Sequence, residues 1–130
     1  MGVDAVSAVP CVYYHLSEES VKLHWNSIID ATSLPFIIYN IPQLTSFNLS
    51  PELLSEMAKN PKVVGVKNSA EPVYLMERYR SAVGNDDFII FNGSDEQFLG
   101  GRLMGANAGI GGTYGCMPEL FVELDRLINN

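Results

Sequence analysis

A lysine closes an apolar run at residues 63–67, Val-Val-Gly-Val-Lys. Val63, Val64 and Val66 are β-branched and Gly65 is small, so the run suits a strand covered on both faces. An ammonium group is costly to bury without a partner. Either Lys67 sits in water just past the strand, or it is held in a dry pocket for chemistry. In a dry pocket an amine is more easily deprotonated, and the neutral amine attacks ketones to form a Schiff base. The iminium then takes up an electron pair when a neighbouring C–C bond breaks.

Tyr39 ends the preceding apolar run, after Phe36, Ile37 and Ile38. Its hydroxyl could pass protons beside the amine, or stand at a rim with an apolar body and a wet tip. Asp95 and Glu96 either accept hydrogen bonds from sugar hydroxyls or serve as first-turn acids of the next helix. Residues 109–115, GIGGTYG, either cradle an anion on backbone N–H groups or pack closely through small side chains. Their spacing is that of neither a P-loop nor a dinucleotide fingerprint.

These residues meet only if the intervening elements alternate. Asp4–Val9 reads as a strand. Ser17 then caps a helix, with Glu18 and Glu19 in its first turn and Val21, Trp25, Ile28 and Ile29 on one face. Pro35–Asn40 is a second strand. Ser50 and Pro51 start a helix that turns Leu53, Leu54, Met57 and Ala58 inward. After the strand ending at Lys67, the pattern predicts a helix over Val73–Val83, a strand over Phe88–Gly93, and a glycine-weakened helix from Asp95. A short strand and a Gly-rich turn follow over Asn107–Gly115. The last helix has Pro118 in its first turn, and Leu120, Phe121, Leu124 and Leu127 or Ile128 directed inward.

Five βα units with apolar strands imply a parallel sheet covered by helices. An open doubly wound sheet and part of a (β/α)8 barrel both fit. A whole barrel takes about 250 residues, and this chain has 130. In either fold the site lies at the C-terminal strand ends. There the order of elements places Tyr13 and Tyr14, Tyr39 and Asn40, Lys67 to Ser69, Gly93 to Glu96, and Gly111 to Tyr114.

Composition narrows the partners. The net charge is −7 and the 8 basic residues are scattered, which argues against nucleic acid or anionic membrane. No run approaches the roughly 20 apolar residues of a membrane span, and no basic leader is visible at the N-terminus. Cys11 and Cys116 are far apart, as expected of reduced thiols in a cytoplasmic protein. His15 and His24 have no metal-like spacing with them, so no metal site is expected.

The motifs YNIP at Tyr39–Pro42, GVKNS at Gly65–Ser69 and FNGSDE at Phe91–Glu96, in that order, resemble the N-acetylneuraminate lyase and dihydrodipicolinate synthase family. Residues 4–14 and 109–115 fit the same family, so the likeness spans nearly the whole chain. The resemblance implies a class I aldolase on a (β/α)8 barrel, usually tetrameric, acting on pyruvate or its adducts without a metal or diffusible cofactor. It implies that Lys67 is the Schiff-base lysine and Tyr39 the proton shuttle. It places Ser69, Gly93, Asp95 and Glu96 along the sugar part of the pocket, Ile110 and Gly111 beside the pyruvyl group, and Tyr13 towards a neighbouring subunit.

The lyase branch fits better than the synthase branch. Gln43, Leu44 and Thr45 follow YNIP where synthases usually carry an arginine. Gly112 stands where lyases commonly have a serine. The family's early stretch that binds the pyruvate carboxylate is absent, and the match corresponds to the fourth to eighth βα units. Residues 1–130 are therefore expected to be the C-terminal part of a single barrel domain. The expected reaction is cleavage of N-acetylneuraminate to N-acetylmannosamine and pyruvate. The alternatives are another 2-keto sugar acid, a dihydrodipicolinate synthase-like reaction, or an inactive fragment or binding module.

Overall fold

A computed structural model describes residues 2–129. Four of the helices begin at a serine cap or a proline. Ser17 accepts a hydrogen bond from the backbone N–H of Ser20 and opens α1, Glu18–Asp30. Its face of Val21, Trp25 and Ile29 is buried, while Ile28 is half-buried. A short helix that the sequence pattern did not announce, α2 (Pro42–Thr45), begins at a proline. Ser50 accepts from Leu53 N and Pro51 takes the first position of α3, Pro51–Met57. The remaining helices are α4 (Leu75–Val83), α5 (Phe98–Leu103) and α6 (Pro118–Ile128). A 3-10 turn over Asp95–Gln97 precedes α5, and another over Thr113–Gly115 precedes α6.

The strands are β1 (Val6–Ala8), β2 (Phe36–Asn40), β3 (Val63–Asn68), β4 (Ile89–Asn92) and β5 (Ala108–Gly109). β1 is shorter than the Asp4–Val9 run suggests. All pair in parallel, in the order β1-β2-β3-β4-β5. A doubly wound sheet reverses its strand order at a switch point. Strictly sequential neighbours form the arc of a barrel wall instead, which settles the choice the sequence left open.

The two faces of the arc differ. Phe36, Ile38, Val66 and Ile90 point to the helices and join Val21, Trp25, Leu54, Met57, Met76 and Tyr79 in one core. On the other face Ser7 is exposed, and Ile37, Tyr39, Lys67, Ile89 and Phe91 are half-buried. β1 and β5 each have a strand neighbour on one side only.

α6 departs from expectation. Phe121, Leu124 and Ile128 are half-buried, but Leu120 is 51% and Leu127 57% exposed. The helix is apolar over too wide an arc for the surface available to it. It is held by Phe121, whose ring lies 5.7 Å from Phe98 and 4.0 Å from Tyr114, and by the Arg102–Asp125 ion pair at 2.9 Å. A cavity of about 300 Å³ remains between Phe98, Gly109, Tyr114, Phe121 and Val122.

Candidate active site

The β2–β3 register sets Tyr39 beside Lys67, and the β3–β4 register sets Lys67 beside Phe91. All three point to the face of the sheet away from the helices. Lys67 Nζ donates a hydrogen bond to the Tyr39 hydroxyl at 3.0 Å. It also lies 4.1 Å from the centre of the Tyr39 ring, so the π face and the hydroxyl both contact the amine. The lysine is therefore neither a solvated cap nor a buried unpaired charge. It is half-buried and held by the residue that the sequence set at the equivalent place on the preceding strand.

The next row along the strands is Asn40, Asn68 and Asn92, paired in register. Their backbone carbonyls extend the ladder beyond the strands. Asn40 O accepts from Ser69 N at 2.9 Å, Asn68 O from Gly93 N at 2.8 Å, and Asn92 O from Ile110 N at 2.9 Å. Ser69, Gly93 and Ile110 are thus placed by one repeated bond on successive strands. Gly93 must be small, because a Cβ there would overlap Ser69 Oγ and lie 3.0 Å from Asn68 O.

The GIGGTYG loop does hold an anion, and the anion is Asp95. Asp95 Oδ2 accepts from Thr113 N at 2.7 Å and from Thr113 Oγ1 at 2.6 Å. Partial burial pushes the Asp95 carboxyl up, but the bonds from Thr113 and from the Gly112 backbone outweigh it. With the Lys67 charge adding to them, they hold its pKa below the ordinary carboxylate value. A Cβ on Gly111 would overlap Asp95 Oδ1, so glycine at 111 is what lets the carboxylate tuck under the loop. Near β5, Asn92 Oδ1 and the Tyr114 hydroxyl are each buried without a hydrogen-bond partner among the described residues, and Asn92 neighbours Tyr114. Burial raises the Tyr114 pKa despite that neighbour.

The expected site residues divide into two groups. Lys67, Tyr39, Ser69, Gly93, Asp95 and Gly111 form a connected rim. Glu96 is exposed beside it, and Ile110 is 43% exposed. Tyr13 is 83% exposed and packs edge-on against Tyr14 at 5.0 Å. No hydrogen bond links Tyr13 to Lys67 or Tyr39 among the described residues. Sequence reasoning set Thr113 at a strand end but not its clasp on Asp95, and it missed the bond from Gln43 Nε2 to Ser69 O at 2.7 Å. Both contacts join residues distant in the chain, and no local pattern signals them. Among the described residues no helix is long and apolar enough to cross a membrane, and no cluster of three or more His, Cys, Asp or Glu side chains could hold a metal.

Sequential parallel strands with a lysine and a tyrosine paired at their C-terminal ends define an α/β protein of the TIM-barrel class. The chain belongs to the dihydrodipicolinate synthetase family, whose model matches residues 1–130. It is 51% identical over 130 residues to the N-acetylneuraminate lyase of Mediterraneibacter gnavus, covering 99% of this chain and 41% of that protein. Its fold matches the catalytic lysine mutant of Ruminococcus gnavus sialic acid aldolase at a TM-score of 0.93 and 50% identity, covering 98% of this chain and 42% of the other. CdNal of Clostridium difficile, solved with mannosamine, matches at a TM-score of 0.82 and 32% identity, covering 98% and 48%. The chain spans between two-fifths and half of the length of these relatives.

Proposed function

We propose that this chain carries the catalytic rim of a Schiff-base lyase that cleaves N-acetylneuraminate to N-acetylmannosamine and pyruvate. The observation that carries the reading is the Lys67–Tyr39 pair, an amine and a phenol in hydrogen-bond contact at adjacent strand ends. The names of the relatives support it: one is an N-acetylneuraminate lyase, and another is a sialic acid aldolase known to have a catalytic lysine.

In this reading Lys67 Nζ adds to the keto carbon, and water leaves to give an iminium. Tyr39 gives its proton to the hydroxyl that leaves as water, and the resulting phenolate takes the proton of the sugar-chain hydroxyl as the C–C bond breaks. The bonding pair moves into the iminium and becomes an enamine. Protonation at carbon and hydrolysis release pyruvate and restore the amine. Ser69, Gly93, Asp95 and Glu96 line the sugar side, and Ile110 and Gly111 flank the pyruvyl group. Neither a metal nor a diffusible cofactor takes part. Residues 1–130 serve as the C-terminal part of one barrel domain. Exposed Tyr13 reaches a neighbouring subunit of a homo-oligomer, a tetramer by family analogy. The free thiols of Cys11 and Cys116 suit a cytoplasmic setting.

Gly112 favours a second reading of the substrate alone. With no hydroxyl at that position, another 2-keto sugar acid could fit the same chemistry. The test exchanges residues 1–130 for the matching segment of the Mediterraneibacter gnavus lyase and measures pyruvate release. Release from N-acetylneuraminate that disappears in Lys67→Ala supports the proposal. Faster release from a different 2-keto sugar acid moves the assignment to that substrate. Release that persists in Lys67→Ala overturns the mechanism, and a well-folded chimaera with no release at all supports the inactive-module alternative.

A further inference from the structure

Behind the reactive pair, on the helix face of the sheet, lies a polar network that the reaction itself does not use. Asn40 and Asn68 follow Tyr39 and Lys67 directly, so strand alternation turns their side chains to the opposite face. They are 1% and 0% exposed. Buried amides are costly unless bonded. Asn40 Nδ2 donates to Asn68 Oδ1 at 2.7 Å and to the Tyr79 hydroxyl at 3.2 Å, and Asn40 Oδ1 accepts from Leu49 N at 3.1 Å. The Tyr79 hydroxyl in turn donates to Leu49 O at 2.9 Å. Tyr79 is fully buried, and that burial drives its pKa far above the ordinary tyrosine value, against the opposing effect of the Asn40 bond. Asn68 Oδ1 also accepts from Ala70 N at 3.4 Å.

The network ties together β2, β3, α4 and the loop at Leu49. Leucines in these places would fill the volume without caring about offset. Amides care, because a shift of one strand past the other leaves buried donors and acceptors without partners. The Asn40–Asn68 side-chain bond bridges the residues next to Tyr39 and Lys67, at the same level of the sheet.

We propose that Asn40, Asn68 and Tyr79 are positioning residues that hold β2 and β3 at the offset bringing Lys67 Nζ to the Tyr39 hydroxyl. The proposal rests on the Schiff-base reading of Lys67. It assigns these three residues no contact with substrate. Their effect falls on the rate of the chemistry rather than on keto-acid affinity, because misplacement of reacting groups by about 1 Å can cost about 100-fold in rate.

The test uses the same chimaera and the rate at which pyruvate with borohydride labels Lys67. Asn40→Ala removes the central amide, and Tyr79→Phe removes one hydroxyl while keeping the buried ring. Leu54→Val, in the same core but outside the network, serves as the comparison for loss of stability. The expected result is a labelling rate at saturating pyruvate about tenfold or more lower in Tyr79→Phe, with little change in the half-saturating concentration. Leu54→Val should label at the parent rate once the samples are matched for folded fraction. Equal labelling rates in Tyr79→Phe and Leu54→Val would overturn the positioning role while leaving the Schiff base in place. If the unsubstituted chimaera takes no label at Lys67, the Schiff-base reading fails and this proposal falls with it.

Discussion

Lys67 and Tyr39 are register partners on neighbouring parallel strands, and their side chains meet twice, once at the hydroxyl and once over the ring. The two contacts can be separated. Tyr39→Phe keeps the ring under the amine and removes only the hydroxyl. General acid–base groups contribute about 10²–10⁴-fold, so cleavage by the chimaera should slow by that range with unchanged thermal stability. Turnover equal to the parent would remove Tyr39 from the proton path.

The carboxylate of Asp95 is tied to Thr113 across 18 residues of chain. Its pKa is lower in the folded protein than in the unfolded chain. The stabilisation is therefore complete above the unfolded carboxylate value of about 3.9 and disappears as pH falls through the folded value. Thr113→Val should cost about 1 kcal/mol at neutral pH, the low end for a charged acceptor because the site faces solvent. Thermal melts from pH 7 to pH 3 should show the gap between variant and parent closing as Asp95 protonates. A gap independent of pH would place the effect elsewhere.

Gly111 has no room for a methyl group. Gly111→Ala would drive a Cβ into Asp95 Oδ1, with Tyr114 Cε1 at 2.7 Å on another side. Overpacking of this kind costs about 1–3 kcal/mol, and here it also breaks the clasp that holds Asp95. Urea unfolding should show the loss, and the KM for the sugar acid should rise if Asp95 lines its path. A neutral Gly111→Ala would show that the loop yields without cost.

The residues in chemical contact were more legible than the residues that place them. Alternation within Phe36–Asn40 and Val63–Asn68 is enough to put Tyr39 and Lys67 on one face, and parallel pairing does the rest. The same alternation makes positions 40, 68 and 92 helix-facing, where an apolar residue is expected. That asparagines work there depends on Leu49 and Tyr79, which supply bonds from other elements, and on Ser94 in the turn just after Asn92. α6 was legible as a helix and in part of its packing, since Phe121, Leu124 and Ile128 are half-buried while Leu120 is left exposed among the described residues. The short strand expected within Asn107–Gly115 is present as Ala108–Gly109, and just these two residues pair with β4.

Residues 1–130 expressed alone should associate or remain loosely packed. One face of the sheet is only half-buried, β1 and β5 are edge strands among the described residues, and Leu103, Leu120, Val122 and Leu127 are each more than half exposed. Open parallel edges and contiguous apolar surface favour self-association. Sedimentation should show large species, near-UV circular dichroism should be weak, and pyruvate release should be absent. A monodisperse sample with cooperative unfolding and lyase turnover would contradict this.

The central claim is that Lys67 becomes covalently joined to the keto acid. The most direct measurement is peptide mass spectrometry of the chimaera after treatment with pyruvate and borohydride. Among the other lysines of this segment, Lys22 is paired with Glu56, and Lys62 Nζ is bonded to the carbonyls of Ile29 and Thr32 at 3.0 and 2.8 Å. Within residues 1–130, the account predicts a reduced pyruvyl group on Lys67 alone, lost in Lys67→Ala. Labelling of Lys22, Lys59 or Lys62 with Lys67 unmodified would contradict it.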